Sequence, residues 1–203
     1  MKNFSREEIT KKVIDLHIPR WDEIPSIELY MDQVIKYVTD VFKMIMQTEG
    51  NEKIITKAMI NNYVKHKVIA PPVNKKYDKS HIVYLIVLSV FKSVFSISEI
   101  SKLLKLQSKK YKLEVADNYF CEEFEKALKY TFTDRNQIIP DSATRVTDET
   151  EIVRSALLVI SNKIFVESYI KTFAEEENKN EELIDVELRK SKKQTKKDLK
   201  EKN

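Results

Sequence analysis

Apolar residues recur at spacings of three and four along most of the chain, the pattern of helices that each bury one stripe. Ile9, Val13, Ile14 and Leu16 follow a Ser5–Glu8 capping-box pattern, which predicts a first helix to about His17. HIPRWDEIPS comes next, with Pro19 and Pro25 bracketing Trp21; it reads as a connector whose tryptophan packs onto the following element. From Ser26 to about Gln47, Ile27, Tyr30, Met31, Val34, Ile35, Val38, Val41, Phe42 and Ile45 predict a long amphipathic helix, broken by TEGNEK. Thr56 is a suitable N-cap for a short helix that ends before Pro71 and Pro72. Asp78 or Ser80 caps HIVYLIVLSVFKSVF, which is apolar around most of its circumference and therefore belongs in the middle of a core. Ser96 and Glu99 form a second capping box before Ile97, Ile100, Leu103, Leu104 and Leu106. Two more helices are predicted, over roughly 113–132 and 150–177, separated by a polar loop containing Pro140. The last has a broad apolar face suited to a core or an oligomer interface, and the charge-rich sequence beyond about 179 reads as a disordered tail.

Composition sharpens the fold class. The 203 residues contain one glycine, Gly50. Hairpins, phosphate loops and twisted sheets commonly draw on glycine at positive φ, so its scarcity beside many Lys, Glu, Leu and Ile points to an all-α chain. A hydrophobic content of 42% is enough for a real core. The lone Cys121 leaves no internal disulfide and fits a reducing, cytoplasmic setting. The opening MKNFSREEITKK has no apolar signal core, and the run Ile82 to Phe91 is too short to span a bilayer, so no membrane role is expected.

The formal charge of +4 is small, but its distribution is uneven. Glu52 to Lys79 holds seven lysines against two acids, Arg189 to Lys202 holds eight basic residues against two acids, and Glu175 to Glu187 is acidic. On a helix turning about 100° per residue, Met59, Ile60, Tyr63 and Val64 fall on one side. Lys57, Ala58, Asn61, Asn62, Lys65 and His66 face away from it, with no acid among them. Asparagine is a poor helix former, yet it can pair with adenine in a major groove, while lysine neutralises phosphates. That face is a candidate DNA-reading surface; an ordinary solvated face is the plainer alternative. The basic tail would supplement such binding through counterion release, or simply be solvated.

The order of elements narrows the choice. Met59-Ile60-Asn61-Asn62-Tyr63, then Val68-Ile69-Ala70-Pro71, then Lys75, Lys76 and Tyr77, then a helix pair turning at Phe95-Ser96-Ile97-Ser98-Glu99-Ile100, resembles a winged helix-turn-helix of the MerR type. The stretch from PRWDEIPSIELYMDQVI through MINNYVKHKVIAPP to KKYDKSHIVYLIVLSVFKSVFSISEI is still more similar to a YkrK-like bacterial family of unknown function, over roughly Pro19 to Leu104. The resemblance implies a MerR-like DNA-binding fold over 26–108, after an N-terminal helix and linker over 1–25 and before a helical dimerisation or effector region over 109–178 and the charged tail over 179–203. No established cellular role comes with the resemblance; together with the basic face, it leads to the expectation of a bacterial DNA-binding transcription regulator acting as a homodimer on double-stranded DNA. Lys57, Lys65 and Lys67 would contact phosphates, Asn61 and Asn62 bases, and Lys75, Lys76 and Tyr77 the flanking backbone as a wing, with His66 beside them. Two departures stand out: Lys67 occupies the place of the family's glycine after the recognition helix, so that end must be capped some other way, and Asn61 replaces the family's arginine.

No enzymatic signature is present. There is no glycine-rich phosphate loop, and His17, His66 and His81 have no metal-ligand spacing. No cofactor is expected. Cys121 reads as a buried inert thiol, or, with Tyr119, Phe120 and Phe124, as one wall of an effector pocket, although no pattern supports a particular small molecule. The alternative to a DNA-binding regulator is a helical protein-interaction module with a helix-turn-helix-like shape.

Overall fold

The computed structural model describes residues 6–46, 53–136 and 138–200, with side chains from Glu7 to Ala174. Among these the fold is mainly helical with one small two-stranded sheet, so the all-α expectation holds in that coarser form. Helix α1 (Arg6–Ile14) comes first; Ser5, its expected cap, lies outside the described residues. The connector makes a single 3-10 turn at Trp21–Glu23 and is tied down by charge rather than by proline alone. The Arg20 guanidinium grips Glu125 with two parallel bonds of 2.8 Å, and the Ile18 N–H donates to the same carboxylate at 2.8 Å. Trp21 is half-buried, with the Lys79 ammonium 4.9 Å above its ring.

The long helix expected from Ser26 divides. Ile27 is 69% exposed, and Leu29–Tyr30 forms strand β1 before α2 (Met31–Phe42) begins. Pro25 disfavours helix just upstream, and the backbone of β1 is drawn instead into antiparallel pairing with β2 (Lys76–Tyr77), in the register Leu29 to Tyr77 and Tyr30 to Lys76. Most of TEGNEK lies outside the described residues. Helix α3 (Lys57–Lys65) has the expected Thr56 cap, whose hydroxyl accepts from the Met59 N–H at 3.2 Å.

Helix α4 (Lys79–Phe91) is the central helix anticipated from its all-round apolarity: Ile82, Leu85, Ile86, Leu88 and Val90 are fully buried. Of the two caps considered, Asp78 is the one used, accepting from the His81 N–H at 3.0 Å. The Ser96–Glu99 capping box opens α5 (Ile97–Ser108) as expected, with Glu99 accepting from the Ser96 N–H at 2.8 Å. Helices α6 (Leu113–Phe132) and α7 (Asp148–Lys200) pack along one another. Buried Glu123 of α6 accepts from Arg154 Nε of α7 at 2.8 Å and from the Ser142 N–H at 3.0 Å, which pins the connecting loop to both helices.

The backbone of α7 continues past residue 178, where a disordered tail was expected, through Lys200. That sequence is rich in Glu, Lys and Leu and free of Pro and Gly, so nothing in it stops a helix. Among the described residues no helix is long and apolar enough to cross a membrane.

Candidate nucleic-acid interface

Helix α3 has the two faces its sequence predicts. Ile60 and Tyr63 are buried and Met59 and Val64 partly so, while Lys57, Ala58, Asn61, Asn62, Lys65 and His66 are all exposed. Its C-terminal end corrects one expectation. Lys67 has φ 55, the left-handed conformation that glycine ordinarily supplies there. The Val68 N–H reaches back to the Tyr63 carbonyl at 2.9 Å and the Lys67 N–H to the Val64 carbonyl at 3.0 Å, the paired bonds of a Schellman motif. The helix therefore stops the usual way without the usual residue, and the Lys67 side chain is left exposed.

A hairpin follows. Val73 and Lys76 exchange backbone bonds of 3.1 and 2.9 Å around Asn74 (φ 51) and Lys75 (φ 64). Positive φ at both central residues is the type I′ turn, whose twist suits a two-residue hairpin. Asn tolerates this conformation, so the Asn-Lys pair between Val73 and Lys76 was the sequence signal for a glycine-free hairpin. Both tip residues are exposed, and Asn74 belongs to the candidate surface although the sequence reading left it out. Beta pairing to β1 fixes the hairpin against the start of α2.

Two acids stand on this surface that helix projection did not reveal. Lys57 Nζ lies 2.7 Å from Asp32 at the start of α2, and Lys76 Nζ lies 3.8 Å from Glu28 and 5.9 Å from the Tyr30 ring centroid. These contacts place the N-terminal end of α3 and the hairpin on either side of the β1–α2 junction. The pairs are exposed, hence weak and open to exchange. Among the described residues Lys65, Lys67 and Lys75 have no acidic partner. Tyr77 is not part of the surface. It is 2% exposed and packs edge-on against His81 with ring centroids 5.4 Å apart, and burial pushes its hydroxyl pKa up. In a strand of two residues, alternation turns Lys76 outward and Tyr77 into the core.

A family model matches residues 19–129, described as a domain of unknown function (DUF1836). The chain belongs to this family. The match covers more than half of the chain and takes in the connector, the β1–β2 pairing, α2 to α5 and most of α6. No curated protein and no solved structure matches the chain.

The DUF1836 domain thus includes the whole exposed surface just described. Elsewhere in it, Cys121 is fully buried, and burial pushes its thiol far above the ordinary range, as an inert thiol requires. Among the described residues no three histidine, cysteine or carboxylate side chains come together to hold a metal ion.

Proposed function

We propose that this protein is a non-catalytic, MerR-like regulator that binds double-stranded DNA as a homodimer. The observation that carries the reading is the outer face of α3: two amides, two ammonium groups and an imidazole, all exposed, with no acid on the helix itself and only Lys57 paired, to Asp32 of α2, ending at Lys67 and adjoining a glycine-free hairpin tipped by Asn74 and Lys75. The element order, two helices, a hairpin paired with strand β1, then a helix pair, supports reading this region as a winged helix-turn-helix. In this reading α3 enters a major groove, Asn61 and Asn62 meet base edges, and Lys65, Lys67 and Lys75 meet phosphates. Lys57 and Lys76 exchange Asp32 and Glu28 for phosphate, and His66 at the helix end stands beside the backbone. Tyr77 supports the wing from inside.

Fluorescence anisotropy against a random duplex pool at several salt concentrations tests this. The expected result is an affinity that falls steeply with salt. Lys75→Glu/Lys76→Glu should weaken binding to all sequences by about tenfold or more. Asn61→Ala/Asn62→Ala should erase about 1–3 kcal/mol of discrimination among recovered sequences while leaving non-specific affinity in place. Negligible binding at low salt would overturn the reading.

One observation favours the second reading, a protein-interaction module. Ile152, Val159, Val166 and Phe173 recur every seventh residue on α7 and are 42%, 51%, 52% and 61% exposed. The homodimer assigns that stripe to a second copy of the chain; the interaction module would assign it to a different protein.

A further inference from the structure

Strand β1 sorts its two residues by face. Leu29 is buried opposite buried Tyr77, so Tyr30 and its partner Lys76 point the other way, because successive strand residues alternate. Lys76 has a second neighbour, Val73, across the hairpin. Residues directly opposite one another in antiparallel pairing turn their side chains to the same face. Val73, Lys76 and Tyr30 therefore stand in one row across the small sheet. The Lys76 ammonium, 5.9 Å from the Tyr30 ring centroid, agrees with this placement.

The row faces solvent: Val73 is 65% exposed and Tyr30 55%. Tyr30 opens α2 through its backbone, whose N–H donates to Gln33 Oε1 at 2.8 Å. Among the described residues no hydrogen bond engages its hydroxyl. Apolar side chains grouped in the open and rimmed by polar residues mark a contact surface. Its neighbours indicate the partner. On one side is the start of α3, where Lys57 reaches Asp32; on the other is the hairpin tip with exposed Asn74 and Lys75. The acids close by, Glu28 and Asp32, are each matched by a lysine, Lys76 and Lys57, and Lys75 is left over for an anion. The backbone of duplex DNA suits such a row, since phosphate oxygens that accept from O–H and ammonium groups alternate along it with deoxyribose.

We infer that Val73, Lys76 and Tyr30 form a strip that lies along the sugar–phosphate backbone of duplex DNA, with the Tyr30 hydroxyl donating to a phosphate and the Tyr30 ring and Val73 covering deoxyribose. The inference rests on the DNA reading and deepens it. It gives the wing's aromatic contact to Tyr30, in place of buried Tyr77, and adds contacts that carry no charge.

That absence of charge makes the strip separately measurable. Anisotropy of the full-length protein with the random duplex pool at several salt concentrations yields both affinity and its salt slope, and the slope reports only the phosphates neutralised by cations. Tyr30→Phe should weaken binding to all sequences by about tenfold with the salt slope unchanged. Tyr30→Ala/Val73→Ala should weaken it by about a further tenfold, again with the slope unchanged. Lys75→Glu/Lys76→Glu, by contrast, should flatten the slope. Thermal unfolding checks that each variant folds; should the double alanine variant not fold, Tyr30→Phe, which keeps the ring, decides alone. Wild-type binding that Tyr30→Phe leaves unchanged, or a slope that flattens in Tyr30→Phe, would overturn the strip while the DNA reading stands. No binding by the wild type at low salt would overturn both.

Discussion

Asp117 sits almost wholly out of water on α6, and its carboxyl is held above its ordinary range chiefly by desolvation, with Arg20 and Lys79 offsetting part of that cost. The direction sets the pH dependence. A carboxyl with a higher pKa folded than unfolded binds its proton more tightly in the native state, so stability is greatest below about pH 4 and is lost as pH rises through about 6. At ~1.36 kcal/mol per pH unit, a rise from 3.8 to about 6 corresponds to about 3 kcal/mol at pH 7. Asp117→Asn is therefore expected to raise the unfolding free energy by about 2–3 kcal/mol at pH 7 and to change little at pH 4. Urea titrations at the two pH values measure this, and an equal gain at both would mean that ionisation is not the source. Tyr77 is the contrasting residue. In sequence it stands with Lys75 and Lys76 as a basic-aromatic wing, whereas in the fold it is a core residue against His81, because pairing to Leu29 fixes which of its two neighbouring positions faces inward.

At the scale of elements, the end of α3 shows a local rule satisfied by an unfavoured residue. Holding a β-carbon-bearing residue at φ 55 costs about 1–2 kcal/mol relative to glycine. Lys67→Gly should therefore raise stability by about 1 kcal/mol in chemical denaturation, while removing an exposed charge and lowering DNA affinity in the anisotropy assay. A gain in stability with affinity unchanged would remove Lys67 from the proposed contact set. The caps Thr56, Asp78 and Ser96 were legible because a capping hydrogen bond closes within three residues of its donor. The burial of α4 was legible for a related reason: a helix apolar on every side has no face to give to water. Strand β1 was not legible. Its Leu and Tyr continue the periodicity of α2, and what makes them extended is a partner at residues 76 and 77, far along the chain.

For the whole molecule, α7 is the element whose packing is least complete within one chain. Its 53 residues span about 80 Å at ~1.5 Å per residue, against about 30 Å for the 20 residues of α6. The exposed stripe of Ile152, Val159, Val166 and Phe173 continues the apolar side that α6 only partly covers. Sedimentation equilibrium should give a dimer for the full-length chain, and Val159→Glu/Val166→Glu should give monomers with unchanged helix content, since both residues are about half exposed within the chain. A wild-type monomer would leave the stripe to another protein. The sequence by itself determined the helical character, most helix positions, the caps, the central place of α4 and the two faces of α3, because periodicity and capping are settled by neighbours within a few turns. Tertiary structure alone decided the pairing of β1 with β2, the burial of Tyr77, the acids beside Lys57 and Lys76, and the burial of Asp117. Each of these depends on which distant residues the chain brings together, and no local pattern encodes that distance.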